Sequence, residues 1–279
     1  MSYKTILLHV DETERCTARI DIALQLAEAF GAHVTALALA PDLPVPAMVE
    51  ISYGAQLAEA HQRAVREALD PVKAEFSQRA RRAGIASTEW REAQGAAVSS
   101  AALHARYADL VVVGQPDPRA GQSQPAPGFV DELLLGGGRP VLVVPYAGRF
   151  AGVGTNVLVA WNASRESTRA VTDALPLLKR AKRVTVVSID PQHIPGVHGE
   201  SPGADIALYL ARHGVKAEAH PTPSGKLEVG DVILSRASDL GSDLIVMGAW
   251  GHSRARELVM GGATRRLLGE MTVPVLLSH

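Results

Sequence analysis

The chain has a single cysteine, Cys16, among 279 residues. No internal disulfide can form, and a reducing compartment is the expected setting. Neither sign of charge is in excess: 28 Lys and Arg face 29 Asp and Glu, for a formal net charge of -1. That balance excludes the global basic field that draws proteins to nucleic acid. Long apolar runs are missing too. Ile6-Leu7-Leu8 near the start is far too short for a signal peptide or a membrane span, and no later stretch is long enough. A soluble, cytoplasmic protein with no membrane or nucleic-acid partner is expected. The sequence also shows no nucleophile elbow, no Walker-type lysine loop and no carboxylate pair at a defined spacing. Nothing in it argues for catalysis, and no catalytic residue is assigned.

What is present is globular material, 47% hydrophobic and 20% charged, in a length that suits two domains. An internal repeat divides it. Ala108-Asp109-Leu110-Val111-Val112-Val113-Gly114 matches Ser242-Asp243-Leu244-Ile245-Val246-Met247-Gly248. At an identical interval beyond, Pro140-Val141-Leu142-Val143-Val144 matches Pro274-Val275-Leu276-Leu277-Ser278. Upstream, Ile6-Leu7-Leu8-His9-Val10-Asp11 matches Val157-Leu158-Val159-Ala160-Trp161-Asn162. Three matches in order point to a duplicated domain, with copies at 1–147 and 152–279 and a small linker, Ala147 to Gly152.

Short apolar runs alternate with amphipathic stretches in each copy, the pattern of a parallel sheet buried on both faces. Strands are predicted at 5–10, 33–39, 87–91, 110–113 and 141–144, and again at 156–161, 184–189, 217–220, 244–247 and 275–277. Ile22, Leu26 and Phe30 stripe one helix, and Leu57, Ala64, Ala68, Val72 and Phe76 a longer one that Gly84 should stop. Val229, Ile233 and Leu240 stripe a helix of the second copy, and Pro176 should make another kink or restart. The expected fold is α/β: two tandem open parallel five-stranded sheets with flanking helices, Rossmann-like. The last strands, both strongly apolar, should pair with each other, making an internal pseudo-dimer and protecting two edges. A homodimer of the whole chain is left open. Pro191 to Gly203, rich in Pro and Gly, should be a mobile loop over the second copy's ligand mouth.

Ligands of open parallel sheets bind beyond the carboxyl ends of the strands, where the strand order reverses. There the second copy carries Gly248, Gly251, His252 and Ser253, then Gly261, Gly262, Ala263 and Thr264 opening the last helix. Glycines give access to backbone amides, the helix start supplies free N–H groups and positive potential, and Ser253 and Thr264 add hydroxyls. Phosphate suits such a mouth, although turn glycines between strand and helix are common on their own.

These residues resemble the universal stress protein family, and the chain as a whole resembles its tandem members. The family's ATP pattern, G-x2-G-x9-G followed by Ser or Thr, is matched by Gly248, Gly251 and Gly261. Gly262 stands in the hydroxyl position, and Thr264 brings a hydroxyl two residues later. The resemblance places Asn162 against the adenosine, where the family has an acid, with Ile189 able to pack on the base. It implies a stress-response binding or regulatory module holding ATP or another adenine nucleotide, with or without Mg. The first copy keeps the acid, Asp11, but Asp117, Pro127 and Val130 stand where the second has Gly251, Gly261 and Thr264. Asp117 would repel phosphate and Pro127 lacks a donor, so nucleotide is expected in the second copy.

Two rival readings remain. A slow ATPase or another nucleotide-using enzyme would have only His252 and Arg254 beside the loop, and a structural interaction protein would leave the pockets empty. No metal site is expected, because the spacing of His193, His198, His213 and His220 matches no standard set. Cys16, with only Arg15 beside it in sequence, reads as a partly buried inert thiol.

Overall fold

The structure is a computed structural model that describes residues 2–40, 47–119, 125, 127–191, 203–249 and 262–279. The chain divides into two compact units. Lys4–Gly137 forms the amino-terminal unit; Met1–Tyr3 and Gly138–His279 form the carboxyl-terminal unit. Tyr3 belongs with the latter because its buried ring donates its hydroxyl hydrogen to the Asp173 carbonyl at 2.7 Å.

The amino-terminal unit runs β1 (Thr5–Val10), α1 (Cys16–Phe30), β2 (His33–Ala40), α2 (Ala47–Arg82), β3 (Thr88–Gln94), α3 (Ala97–Ala105), β4 (Leu110–Gly114) and α4 (Phe129–Gly137). Its strands lie in the order β3-β2-β1-β4, each pair parallel. Ile6, Leu8, Val34, Ala36, Leu110 and Val112 are wholly buried, as strands covered on both faces require. α1 ends where Gly31 turns left-handed at φ 60. α2 ends before Gly84 at φ +70, where Ile85 N–H closes back on the Ala80 carbonyl. Of the stripe expected on α2, Phe76 is buried, but Ala64 is exposed. Packing holds the carboxyl-terminal turns through Leu69, Phe76 and Ala80, while Gln56 to Glu67 carry mostly charged or polar faces.

The carboxyl-terminal unit runs β5 (Val141–Val144), β6 (Asn156–Ala160), α5 (Arg165–Leu178), β7 (Arg183–Ile189), α6 (Ala204–Arg212), β8 (Ala217–Thr222), α7 (Val229–Asp239), β9 (Leu244–Gly248), α8 (Gly262–Glu270) and β10 (Val275–Ser278). Its order is β5-β10-β9-β6-β7-β8. β10 runs parallel to β9 and antiparallel to β5, with Leu276 opposite Leu142. The two apolar strands expected to pair, Val141–Val144 and Val275–Leu277, therefore do so. α5 does not restart at Pro176 but continues to Leu178. The proline lies in the last turn, so the helix loses only the bond to the Thr172 carbonyl and needs no break. The loop expected over the ligand mouth, from Pro191 to Gly203, lies almost wholly outside the described residues.

A device that neither copy advertises by hydrophobicity recurs at the start of each first strand. Asp109 accepts the amides of Lys4 and Thr5 at 2.7 and 3.0 Å. Asp243 accepts those of Gly154, Thr155 and Asn156 at 3.0, 2.9 and 3.0 Å. Each carboxylate ties the strand β1 or β6 to the loop before its neighbour, β4 or β9, which fixes the register of the two strands that border the crevice.

Candidate functional site at the carboxyl edges of the sheets

In the carboxyl-terminal unit the strand order reverses between β6 and β9, which pair in parallel up to Ala160 and Met247. Two residues beyond β6, Asn162 accepts the Ser164 amide at 3.2 Å and closes a tight turn. Ser164 then caps α5, its hydroxyl oxygen accepting the Ser167 amide at 3.1 Å. Sequence order alone thus becomes a crevice wall: strand, Asn turn, Ser cap, helix. The amide nitrogen and carbonyl oxygen of Asn162 offer one donor pair and one acceptor, enough to hydrogen-bond a base or a ribose.

Gly248 ends β9 on the other side of this crevice. A Cβ there would lie 2.4 Å from both the Glu166 carbonyl carbon and the Ser167 nitrogen. The space left by the missing Cβ, expected to clear a path for a ligand, is taken by the first turn of α5. Glu166 in that turn is buried; burial pushes its carboxyl up, but hydrogen bonds from its own amide and from Ser164, together with Arg165, outweigh this and hold it below the usual range. Ile189 ends β7, half-buried, on the strand next to β6, where Trp161 N–H meets the Val187 carbonyl at 2.9 Å. The structure brings Asn162, Gly248 and Ile189 to one edge.

The helix start is partly described. Gly262 opens α8, exposed, with nothing within 4 Å of where a Cβ would stand. Ala263 is half-buried and Thr264 is buried at 3% exposure, so the threonine helps to seat the helix. Arg265 closes the first turn and Arg266 opens the second, both exposed, and Arg266 reaches Asp231 at 2.6 Å. Gly251, His252, Ser253, Arg254 and Gly261 lie outside the described residues.

The equivalent crevice of the amino-terminal unit has the same turn and a different content. Asp11 accepts the Thr13 amide at 3.0 Å, as Asn162 accepts that of Ser164. It also meets Arg19 of α1, with Nη2 2.5 Å from its Oδ1 and both side chains buried. A Cβ on Gly114, the last residue of β4, would lie 2.4 Å from Arg19 Nη1. His9 stacks obliquely on Phe129, ring centres 5.4 Å apart, and lies 3.8 Å from Asp11. Burial, with help from Arg19, lowers the His9 pKa to about 4 against the pull of Asp11. Burial also raises Asp11, but Arg19, His9 and the Thr13 hydroxyl prevail and hold the carboxylate below its ordinary range. Burial pushes the Cys16 thiol up, an inert setting although Arg19 opposes it.

Beyond β4, Asp117 accepts the Arg119 amide at 2.9 Å and its Nε at 3.3 Å. The first turn of α4 carries Asp131 and Glu132, at the positions that match Arg265 and Arg266 in the repeat. The two helix starts are thus opposite in charge. Sequence reasoning singles out neither Arg19 nor Glu166 as a site residue. The signal for Arg19 is its place beside the stripe Cys16, Ile20, Ala23 and Ala27, a charge inside an apolar helix face, with Asp11 just beyond the preceding strand.

Of the four histidines weighed as metal ligands, His213 stacks with Tyr209 at 4.6 Å and His220 lies 3.6 Å from Glu218, while His193 and His198 are outside the described residues. Among the described residues no group of three metal-ligating side chains occurs, and no helix is long and apolar enough to cross a membrane.

Comparison with known proteins agrees with this architecture. A universal stress protein from Archaeoglobus fulgidus is similar over 98% of this chain and 95% of its own, with a TM-score of 0.75 and 15% identity. A putative universal stress protein from Pseudomonas aeruginosa covers 99% of this chain and 93% of its own at a TM-score of 0.54 and 15% identity. A functionally unknown protein from the same species covers 99% and 92% at a TM-score of 0.56, also with 15% identity. At these identities the likeness is one of fold. A search of curated protein sequences found no match. The profile of the universal stress protein family matches the chain twice, over residues 2–145 and 155–279. The chain belongs to the universal stress protein family and carries two tandem copies of its domain.

Proposed function

We propose that the protein is a nucleotide-responsive binding module of the cytoplasm whose ligand, an adenine nucleotide, enters the carboxyl-terminal unit and not the amino-terminal one. The observation that carries this reading is the reversal of charge at the two helix starts. α8 opens on exposed Gly262 with Arg265 in its first turn and Arg266, paired with Asp231, directly after it, whereas α4 opens with Asp131 and Glu132. A helix N-terminus already attracts anions through its free amides, and two arginines add to that potential where two acids cancel it. Asn162 and Ile189 lie at the same sheet edge, to engage the base and ribose. Gly251, Ser253 and Gly261 complete the phosphate loop on the sequence pattern.

The role is binding rather than turnover. Titration calorimetry of the intact chain with ATP tests both parts. One mole of ATP per mole of chain is expected, with affinity falling at least tenfold in Asn162→Leu and lost in Gly261→Val. The absence of measurable heat would leave a structural interaction protein as the reading. Multiple-turnover release of ADP in the same samples, abolished in His252→Ala, would make it an ATPase.

A further inference from the structure

We infer that the crevice of the amino-terminal unit is a guanidinium site, which the chain fills with its own Arg19. Its location is the point where the strand order reverses, between β1 and β4, which pair in parallel. One wall is Asp11, one residue beyond β1, with Nη2 of Arg19 at 2.5 Å from Oδ1. The other is Gly114 at the end of β4, where the missing Cβ leaves room for Nη1. A planar cation thus lies between a carboxylate and bare backbone, 4% exposed. The acid that the family resemblance assigns to adenosine is committed to an internal partner.

The second copy shows that this is a feature of one unit and not of the fold. The helix residue matching Arg19 is Ala170, buried at 0%, the carboxylate is replaced by Asn162, and the space at Gly248 is taken by the backbone of Glu166 and Ser167. Two other titratable groups beside Asp11 and Arg19 add no charge: His9 is held neutral near pH 7 by burial and Cys16 by the same cause. Removing the Arg19 side chain would leave one buried anion beside the Cβ-free backbone of Gly114, in a space that a guanidinium has filled. A compact ammonium ion matches that shape poorly.

The test is thermal unfolding of the full chain as wild type and Arg19→Ala, with and without ~10 mM methylguanidinium, against an equal concentration of tetramethylammonium. Arg19→Ala should lower Tm by on the order of 10 °C, because it leaves Asp11 buried without its partner. Methylguanidinium should restore several degrees to the variant in a saturable way, tetramethylammonium none, and neither should stabilise the wild type. Adding Asp11→Asn to the variant should abolish the rescue. Equal responses of wild type and variant, or no rescue, would overturn the inference. Gly114→Val decides the matter even if Arg19→Ala does not fold: its side chain overlaps Nη1, Cζ and Cδ of Arg19 together, so it must drive the guanidinium off Asp11 and lower Tm, and an unchanged Tm means that Arg19 does not occupy the crevice. No nucleotide enters these measurements, so loss of the nucleotide reading would leave this result standing.

Discussion

Asp109 and Asp243 perform the same task in the two copies: each accepts backbone amides at the start of the first strand of its own copy, two for Asp109 and three for Asp243. Hydrogen bonds to an ionised acceptor are stronger than neutral ones, and those of Thr5, Gly154 and Asn156 are part-buried, where water replaces the carboxylate less well than at Lys4 or Thr155. Asp243→Ala should therefore destabilise by about 2–4 kcal/mol and Asp109→Ala by less, roughly 1–2 kcal/mol. Urea unfolding midpoints read this directly, and equal or negligible losses would contradict it.

Gly248 and Gly262 belong to one sequence motif but sit in opposite surroundings. A Cβ on Gly248 meets backbone atoms of Glu166 and Ser167 at 2.4 Å, which cannot swing aside, whereas one on Gly262 meets nothing within 4 Å. Gly248→Ala should cost about 2 kcal/mol or more through displacement of α5. Gly262→Ala should change stability by less than about 0.5 kcal/mol, since the position lies at a helix start. Chemical denaturation of the two variants would contradict the packing account if the order were reversed.

His9 gives the protein an acid-sensitive step. Its pKa is lowered from 6.5 to about 4 in the fold, so between these values the unfolded chain binds the extra proton and stability falls as pH falls. The loss is fully developed below about pH 4 and amounts to on the order of 3 kcal/mol. Asp11, held below its ordinary range, adds a further loss only at more acid pH. His9→Gln should flatten the stability curve between pH 6.5 and 4 while leaving the steeper part below it. A wild-type curve flat over that window would show that the imidazole is not buried neutral.

Much of this architecture was legible because parallel strands buried on both faces leave continuous apolar runs. β1 and β5 have the bounds that their runs indicate; β2, β4, β7, β8, β9 and β10 extend theirs by one or two residues, β6 stops one residue short at Ala160, and β3 is shifted, running from Thr88 to Gln94. The repeat made the crevice legible too, since Asn162 and Asp11 fall at matching turns. What escaped is what depends on three-dimensional neighbours. Arg19 looks like a surface arginine until α1 is laid on the sheet and its guanidinium meets Asp11 and Gly114. Pro176 looks like a break until its place in the last turn of α5 is known. Ala64 completes an apolar stripe, yet alanine adds too little area to bury that part of α2.

The central claim is that adenine nucleotide occupies the carboxyl-terminal unit alone, and photolabelling of the intact chain with azido-ATP followed by peptide mapping tests it most directly. The account predicts label on peptides within residues 155–279, above all those containing Asn162, Ile189 or the segment that leads into α8, competed by unlabelled ATP. Saturable, ATP-competed label within residues 2–145, on the peptides that carry Asp11 or Asp117, would contradict it.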